Sequence, residues 1–565
     1  MRKILVFLLV MLFSLCAFGA KLNKRQADIV NSMNKELQRS AKKLKVDDYE
    51  KPYFISYRLV ESTGYKISGK DGSIVESSDY NRASANVEIR IGSYKDDQTK
   101  GSSNWRYGRS TSYATLPFEK KINEFAFRSA FWTATDSAYK KALTEFHNKK
   151  TKNVYEKIDE DEKNRDAFTK EDKVIYYEKE NLIKIDAKKW EKKIKDLSSQ
   201  FNKHGHIMDS SVSIGVTNYA EYFINTEGTR VIQNRNYISL YIYASALADD
   251  GKRVEDYRSF NVSRFSDLPS TTGLKKEIKS ILETIDMLKK APVIDPVSCP
   301  ALLMPEPASI LFHEAIGHRL EGERQFSRRS GQTFKGKVGK KIMPLFISMM
   351  DDPTRKVFNK KTLVGNYKYD QEGVLAQKVS LVEKGILKNY LLSRTPVNGF
   401  TRSNGHGRAQ GTRNPVARMG ITIVKSHKEF SYKELKKMLL EEVKKQKKEY
   451  GLIIKGSSGG STNTSSYGEQ SFRGAAKLVY KVYPDGKEEL VRGAEIIGTP
   501  LAAIDKIIAT GKDYEVFNGF CGAESGMVPV STISPSVLLS NIEIQKKTQR
   551  KSRGPILPKP KYKKK

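Results

Sequence analysis

One long apolar run constrains this 565-residue chain most strongly, because it lies at the N-terminus and nothing comparable follows it. A multi-span membrane protein needs several segments of about 20 apolar residues, so that class is excluded. Hydrophobic residues still make up 38% of the sequence. They are sufficient to form buried cores, which excludes a chain that is disordered throughout. At roughly 100–200 residues per domain, the length predicts two to four domains.

The N-terminal run has the organisation of a secretory signal. Two basic residues precede the apolar stretch Ile4–Leu15, and small residues stand before a cleavage point at Ala20. We therefore expect residues 1–19 to be a signal peptide and the protein to be exported to the periplasm or the extracellular space. Cys16 makes a lipoprotein anchor the less favoured alternative, since the residue before a lipidated cysteine is normally small and here it is a leucine.

The charge is strongly positive, with 100 Lys and Arg against 65 Asp and Glu. Ten of these basic residues and no acidic residue lie in residues 546–565, which predicts a flexible basic tail. Such a tail either binds an anionic surface or only makes the chain more soluble. No nucleic-acid-binding motif accompanies it, so we expect no specific nucleic-acid partner. Three cysteines exclude a disulfide-rich scaffold and leave open both a mixed His/Cys metal site and a Cys299–Cys521 disulfide.

Hydrophobic patterning predicts an α+β fold in two main domains. Residues 20–295 alternate strand-like and helix-like segments, which predicts an N-terminal α/β domain with an antiparallel sheet and helices. Dense Lys and Glu over about 149–203 predict a charged helical insertion with Trp190 and Ile194 as its packing stripe. Prolines then place the domain boundary, and residues 296–545 predict a β-rich C-terminal domain that carries a helix beginning near Pro307.

The segment from His313 to Glu323 contains two histidines and three acids, in a chain with only seven histidines. It resembles the zinc-binding pattern His-Glu-x-x-His, but the second histidine comes one residue later. In an α-helix, positions i and i+5 lie ~140° apart, so a regular helix cannot direct His313 and His318 to one metal. We predict that the helix bends, widens or stops between them, and that Gly317 permits this.

Other arrangements of the same residues remain open. An unbroken helix would place Glu314, His318 and Glu321 on one face, as a carboxylate-rich metal site or as an exposed charged surface. An amphipathic helix without metal is the third possibility. If the two histidines bind zinc, they need another protein ligand. Cys521 is the best candidate, because flanking glycines suggest a thiolate held in a tight loop, although a lone cysteine can also be a small buried hydrophobe.

These motifs resemble the TldD/PmbA family of metallopeptidases over most of residues 296–545. The family signature stands here as His313-Glu314-Ala315-Ile316-Gly317-His318-Arg319-Leu320-Glu321-Gly322, and its cysteine segment as Cys521-Gly522 followed by Val528-Pro529-Val530. The resemblance implies one zinc ion per chain, bound by His313, His318 and Cys521, with Glu314 as the general base. It implies a peptidase that acts on unfolded or short peptides.

The same resemblance implies a homodimer, or a heterodimer with a TldD/PmbA-like subunit, in which this chain resembles the catalytic member because it keeps the motif. Export and the basic tail depart from the family pattern. Two competing functions therefore stay open, namely a catalytically silent scaffold or partner subunit, and a binder of anionic polymer.

Two further segments bear on the substrate. The small residues Gly456–Gly460 suit either a sheet edge that an extended peptide can join or a flexible surface loop. His406, between two glycines, would either stabilise a developing oxyanion or be a turn histidine.

Overall fold

A computed structural model of the chain describes most of the sequence. The described residues are 21–100, 111–119, 121–155, 163–327, 329–468, 470–548, 557 and 559–560. The predicted signal peptide, residues 1–19, lies outside them, as does most of the predicted basic tail. Within the described residues, no helix is both long and apolar enough to cross a membrane.

The N-terminal half is built on one large sheet. Its strands are β1 (Pro52–Lys70), β2 (Ser73–Ile91), β3 (Thr111–Leu116), β4 (Ile175–Tyr177), β5 (Ile207–Asn225), β6 (Arg230–Leu247) and β7 (Arg253–Val262). The strand order is β3-β2-β1-β5-β6-β4, with β7 also paired to β6. All of these pairings are antiparallel except β4 with β6, which confirms the predicted antiparallel sheet.

Two pairs of helices cover one face of this sheet. They are α1 (Lys24–Lys43), α2 (Glu124–Tyr155), α3 (Ala187–Ser199) and α4 (Thr271–Lys290). Side chains alternate between the faces of a strand, so Tyr57 and Ile67 of β1 point to the same face. Tyr57 packs in the core with α1 and α2, whereas Ile67 packs in the core with α3 and α4. The predicted packing stripe of α3 is confirmed, since Trp190 and Ile194 are both buried there.

The C-terminal half carries many shorter elements. Its helices are α5 (Pro305–Ala315), α6 (Tyr432–Lys445) and α7 (Pro500–Asp505). Its strands are β8 (Val297–Leu303), β9 (Ile347–Asp351), β10 (Val357–Phe358), β11 (Lys361–Thr362), β12 (Val379–Glu383), β13 (Ile386–Leu387), β14 (Gly407–Arg408), β15 (Val416–Ala417), β16 (Ile421–Ser426), β17 (Glu429–Phe430), β18 (Gly451–Thr462), β19 (Phe472–Val482), β20 (Glu488–Val491), β21 (Ala494–Gly498), β22 (Ile507–Gly511), β23 (Glu515–Ala523), β24 (Gly526–Ser534) and β25 (Val537–Lys546).

Two sheets of this half enclose the helix α5. The larger sheet has the order β17-β22-β25-β21-β19-β18-β8, and pairing of β25 with β8 closes five of its strands into a ring. The smaller sheet has the order β13-β12-β9-β16-β24-β23. Helix α5 packs against β18 and β19 of the first sheet and against β23 and β24 of the second. The α+β fold is thus confirmed, with a buried helix in a β-rich C-terminal domain.

Candidate metal centre

The helix that carries the motif ends between the two histidines. Helix α5 stops at Ala315, and Ile316 follows with φ −117° and ψ −50°. The next residues, Gly317–Leu320, form a 3₁₀ turn that carries His318. The predicted interruption is therefore confirmed. The alternative of a continuous helix with its acidic face is wrong, because the helix ends before His318.

Gly317 is required for space rather than for an unusual backbone angle. A Cβ atom at this position would lie 2.1 Å from Sδ of Met419 and 2.9 Å from its Cε. Its φ is not in the left-handed region that favours glycine. The glycine therefore lets the turn after α5 approach the buried side chain of Met419, which brings His318 back towards His313.

The structure brings His313, His318 and Cys521 together. The Nε2 atom of His313 lies 3.1 Å from Sγ of Cys521, and Nε2 of His318 lies 3.3 Å from the same sulfur. One ligand atom from each residue lies within 4.8 Å of the others, and all three residues are buried. The cysteine is contributed from 203 residues beyond His318. The fold thus assembles the three residues that the sequence named.

These donor atoms fit a zinc ion. Bonds of 2.0–2.1 Å to nitrogen and ~2.3 Å to sulfur place tetrahedral donors about 3.5 Å apart. The observed separations of 3.1 and 3.3 Å need an expansion of only a few tenths of an ångström. Two imidazoles and one thiolate leave a fourth position for water or substrate, which is the pattern of a catalytic zinc site.

The charges at the site favour the thiolate form of Cys521. Burial by itself would raise the pKa of this thiol, but His318 and His313 lower it well below its usual value. Burial would likewise lower the pKa of His318, yet Cys521 and Glu321 raise it well above its usual value. A thiolate is the form in which cysteine binds a metal.

An outer shell of charged residues orients His318. Its Nδ1 lies 3.0 Å from Oε1 of Glu321, which leaves Nε2 directed at the sulfur. Burial would raise the pKa of Glu321, but His318, Arg324 and Arg418 lower it to about 2. Carboxylates that bind the second nitrogen of a ligating histidine fix its tautomer and ring orientation.

Two buried arginines connect this shell to the strand that carries the cysteine. Arg324 donates to Glu321 at 3.1 Å and to Glu524 at 2.7 Å. Arg418 donates at 2.7 Å to the carbonyl oxygen of Cys521 and lies 3.5 Å from Glu321. Sequence reasoning assigned no role to either arginine, and the spacing of Glu321 and Arg324 within one turn is the only local signal for this network.

The prediction that a tight loop holds Cys521 is wrong. Cys521 lies in the edge strand β23, opposite Val528 of β24, and the chain turns back two residues later. The strand is held by backbone pairing and by Arg418, so flanking glycines are not what fixes the thiol. Both Cys521 and Cys299 are free and buried, so they form no disulfide.

Glu314 lies beside the three candidate ligands. One of its carboxylate oxygens is 3.9 Å from Nε2 of His318. A Cβ built at Gly460 of β18 would lie 2.7 Å from Cγ of Glu314 and 2.6 Å from Cγ2 of Ile310. The absence of a side chain at Gly460 therefore lets β18 pass directly over the acidic residue. The predicted glycine-rich segment is part of this strand and not a flexible loop.

Arg319 fixes the end of the same strand to the end of α5. Its guanidinium donates to the carbonyl oxygen of Glu314 at 2.9 Å, to the hydroxyl of Thr462 at 2.8 Å and to the carbonyl oxygen of Asn463 at 3.1 Å. The residue is 2% exposed. It therefore holds the backbone of Glu314 and the far end of β18 in one arrangement.

His406 belongs to a separate buried network. Its Nε2 lies 3.2 Å from Asp351, and its Nδ1 lies 2.9 Å from the side-chain oxygen of Asn404. Both ring nitrogens are therefore engaged, and the side chain is completely buried. This arrangement matches a structural histidine and not one that binds an oxyanion.

Comparison with known proteins gives the family. Residues 296–546 match the model of the PmbA/TldA metallopeptidase C-terminal domain. The C-terminal domain of this chain therefore belongs to the TldD/PmbA family. A metalloprotease of Methanocaldococcus jannaschii is 34% identical over 40% of this chain and 47% of its own length. The chain therefore spans about half the length of this relative.

Two further proteins extend the likeness. A zinc metalloprotease TldD homolog of Saccharolobus solfataricus is 25% identical over 65% of this chain and 79% of its own length. The crystal structure of TldE from Thermococcus kodakarensis superimposes with a TM-score of 0.60 and 16% identity, over 91% of this chain and all of that one. The structural likeness shows the fold across both halves, and the sequence relatives are metalloproteases.

Proposed function

We propose that this protein is a zinc-dependent peptidase that hydrolyses peptide bonds in unfolded or short peptides. The observation that carries the proposal is the convergence of His313, His318 and Cys521 with Glu314 directly beside them. The name of the Saccharolobus solfataricus relative, a zinc metalloprotease, supports the choice of metal. One thiolate with two imidazoles also suits zinc better than it suits magnesium or calcium, which prefer oxygen ligands.

Each residue of the centre has a distinct task in this proposal. When bound there, a zinc ion lowers the pKa of a water ligand towards ~7 and polarises a carbonyl group. Glu314 accepts a proton from the attacking water on a carboxylate oxygen and transfers it to the nitrogen of the leaving amine. Glu321 keeps His318 in the tautomer that presents Nε2 to the metal.

The path of the substrate follows the edge of β18. Parallel pairing with β8 involves only Leu452, Ile453 and Ile454, whereas β18 continues to Thr462. The later part of this edge passes over Glu314 at Gly460. An extended peptide can add to such an edge through main-chain hydrogen bonds, which favour no particular side chains. This supports a substrate that is bound in an extended, unfolded form.

We also propose that the chain acts with a second TldD/PmbA-like subunit, in a homodimer or a heterodimer. The likeness of its fold to TldE supports this proposal. Export to the periplasm or the extracellular space, and contact of the basic tail with an anionic surface, remain our proposals from the sequence.

The variant Glu314→Gln tests the peptidase function. Glutamine keeps the size of the side chain and removes its proton acceptor, so we expect full metal content and no measurable cleavage of a quenched peptide library. Glu441→Gln, an exposed change on α6, is the matched control and should cleave as the wild type does. A Glu314→Gln protein that cleaves at the normal rate would refute the general base. A wild-type protein that holds zinc and cleaves nothing would instead favour the silent scaffold.

A further inference from the structure

A large cavity lies between the N-terminal sheet and the C-terminal domain. Its volume is about 1100 Å³, and it is bounded by β7, the start of α5, the hairpin β10–β11, and parts of β18, β19 and β23. No residue of the candidate metal centre lines it. The cavity is therefore separate from the cluster of ligands, although it shares three elements with that cluster.

These three elements lead from the cavity to the metal centre. Phe520 and Gly459 line the cavity; Phe520 precedes the candidate ligand Cys521, and Gly459 precedes Gly460, which lies against Glu314. Glu306 also lines it and precedes Glu314 by eight residues on α5, a distance of about 12 Å along the helix. An extended peptide rises ~3.3 Å per residue. Along α5 the cavity thus lies about 12 Å from Glu314, a length that about four residues of an extended peptide span.

The walls of the cavity contain several aromatic side chains. Tyr241 and Tyr257 have ring centroids 5.4 Å apart, and Phe517 and Phe520 line the opposite strand. Tyr241 is exposed and the other three are partly buried, although Lys477 lies over the ring of Tyr257 and Tyr237 packs against Phe520. Each ring therefore keeps some exposed surface for a ligand. Such surfaces pack against peptide side chains and favour no single charge.

The rim of the cavity supplies the charge. Lys360 and Lys361 stand at the tip of the hairpin formed by β10 and β11. Asn359 and Lys360 both have positive φ values, 45° and 64°, which fits a two-residue hairpin turn of defined shape. Both lysines are exposed, and neither makes an ion pair with the described residues. The hairpin therefore presents two uncompensated cations at the cavity mouth.

The other charged groups around the cavity are largely compensated by their neighbours. Lys477 lies 2.6 Å from Asp256, and Arg258 lies 2.8 Å from the same carboxylate. Asp267 lies 2.9 Å from Arg264. Burial raises the pKa of Glu306, which reduces its negative charge at a given pH, although Lys477 and Arg258 oppose that shift. Lys455 lies 3.9 Å from Glu488, whereas Glu515 in the wall is exposed and forms no ion pair with the described residues. The two lysines of the hairpin therefore leave a positive excess over this one unpaired carboxylate.

We propose that this cavity binds the part of a peptide substrate that lies about four residues from the scissile bond, and that Lys360 and Lys361 select acidic side chains there. The proposal rests on the peptidase function and adds a substrate class to it. Main-chain pairing at β18 would then position the peptide, whereas the cavity would determine which peptides bind well.

Peptide binding by the full-length Glu314→Gln protein, loaded with zinc, tests this selection without turnover. The probes are three fluorescein-labelled nonapeptides in which alanine alternates with Glu, Gln or Lys. At low salt we expect the Glu peptide to bind about tenfold more tightly than the Lys peptide, since two exposed ion pairs contribute on this scale. The double variant Lys360→Glu/Lys361→Glu should abolish or reverse the order. Lys340 and Lys341 are also exposed and consecutive in sequence, but they do not line the cavity. The control variant Lys340→Glu/Lys341→Glu should therefore keep the wild-type order of affinities.

The outcomes separate this inference from the peptidase function. Equal binding of the three peptides, or a preference that the Lys360/Lys361 variant leaves intact, would overturn the inference. If the wild-type protein nevertheless cleaves all three peptides equally, the peptidase function stands and the selection by the cavity fails. A preference for the Glu peptide that depends on Lys360 and Lys361 supports selection by the cavity, whether or not the wild type cleaves any peptide. Absence of cleavage by the wild type would contradict only the peptidase function.

Discussion

Replacing Gly460 by alanine would displace the proposed general base and leave every candidate metal ligand in place. The new Cβ would lie 2.7 Å from Cγ of Glu314 and 2.6 Å from Cγ2 of Ile310. Carbon atoms pack at about 3.5–4.0 Å, so the glutamate must move by about 1 Å or the strand must move away from α5. Both responses alter the position of the carboxylate relative to the metal and to a peptide on β18.

The expected cost follows from this displacement. A misplacement of 1 Å at a reacting group can lower the rate by about 100-fold. We therefore expect Gly460→Ala to lower kcat/KM for a quenched peptide by about this factor while zinc content stays near that of the wild type. Steady-state cleavage assays together with metal analysis of the same samples measure both quantities.

A neighbouring glycine provides the control. Gly474 stands opposite Gly460 in the pairing of β18 with β19. A Cβ there would meet Ile496 at 3.6 Å, an ordinary contact, so Gly474→Ala should cleave at nearly the normal rate. Normal activity in Gly460→Ala, with unchanged folding, would refute the placement of Glu314 under the strand. Equal losses in both variants would show a general effect on the sheet instead.

Three further changes test individual buried groups. Arg418→Lys keeps a positive charge but loses the second arm of the guanidinium, which bonds Ser525 and Gly526 while the first arm bonds the carbonyl of Cys521. Zinc affinity should then fall about 10- to 100-fold in a chelator competition, and an unaltered affinity would contradict that role. Cys299→Ala should keep full zinc content, because Cys299 is not one of the three clustered donors, and a loss of zinc would contradict that set. Burial raises the pKa of the Cys299 thiol to about 12, so the native wild-type protein should resist alkylation there. Burial and Glu372 raise the pKa of Asp370. Between about pH 4, the pKa of an unfolded aspartate, and this raised pKa, the folded protein holds a proton that the unfolded chain has lost. The free energy of unfolding therefore decreases as the pH rises through this range. Asp370→Asn should flatten this decline in urea unfolding at pH 5 and pH 8, and an unchanged slope would exclude Asp370 as its source.

The conformation around His313 and His318 could be predicted from the sequence, because it depends on the geometry of a single helix. The spacing of His313 and His318 is incompatible with a regular helix, so the end of α5 could be derived from helix geometry alone. The role of Gly317 could not be derived, because the group that it accommodates is Met419, about a hundred residues away in the chain. Close packing between distant segments leaves no periodic signal.

The setting of Cys521 shows the same limit. Flanking glycines suggested a loop, but pairing with β24 places the residue in a strand. The two arginines that join this strand to Glu321 are distant from it in sequence, so only the fold reveals their role. The long strand β5 was easier to predict, because buried and half-buried positions alternate along most of it.

Metal content of the purified protein tests whether His313, His318 and Cys521 bind zinc. We would measure bound zinc per chain in residues 20–565 under reducing conditions, for the wild type and for Cys521→Ser, with folding checked by circular dichroism. We expect about one zinc ion per wild-type chain. We also expect a clear loss of zinc in the variant. A folded wild type without metal would contradict the metal centre, and zinc fully retained by Cys521→Ser would transfer the third ligand to Glu321 or another acid.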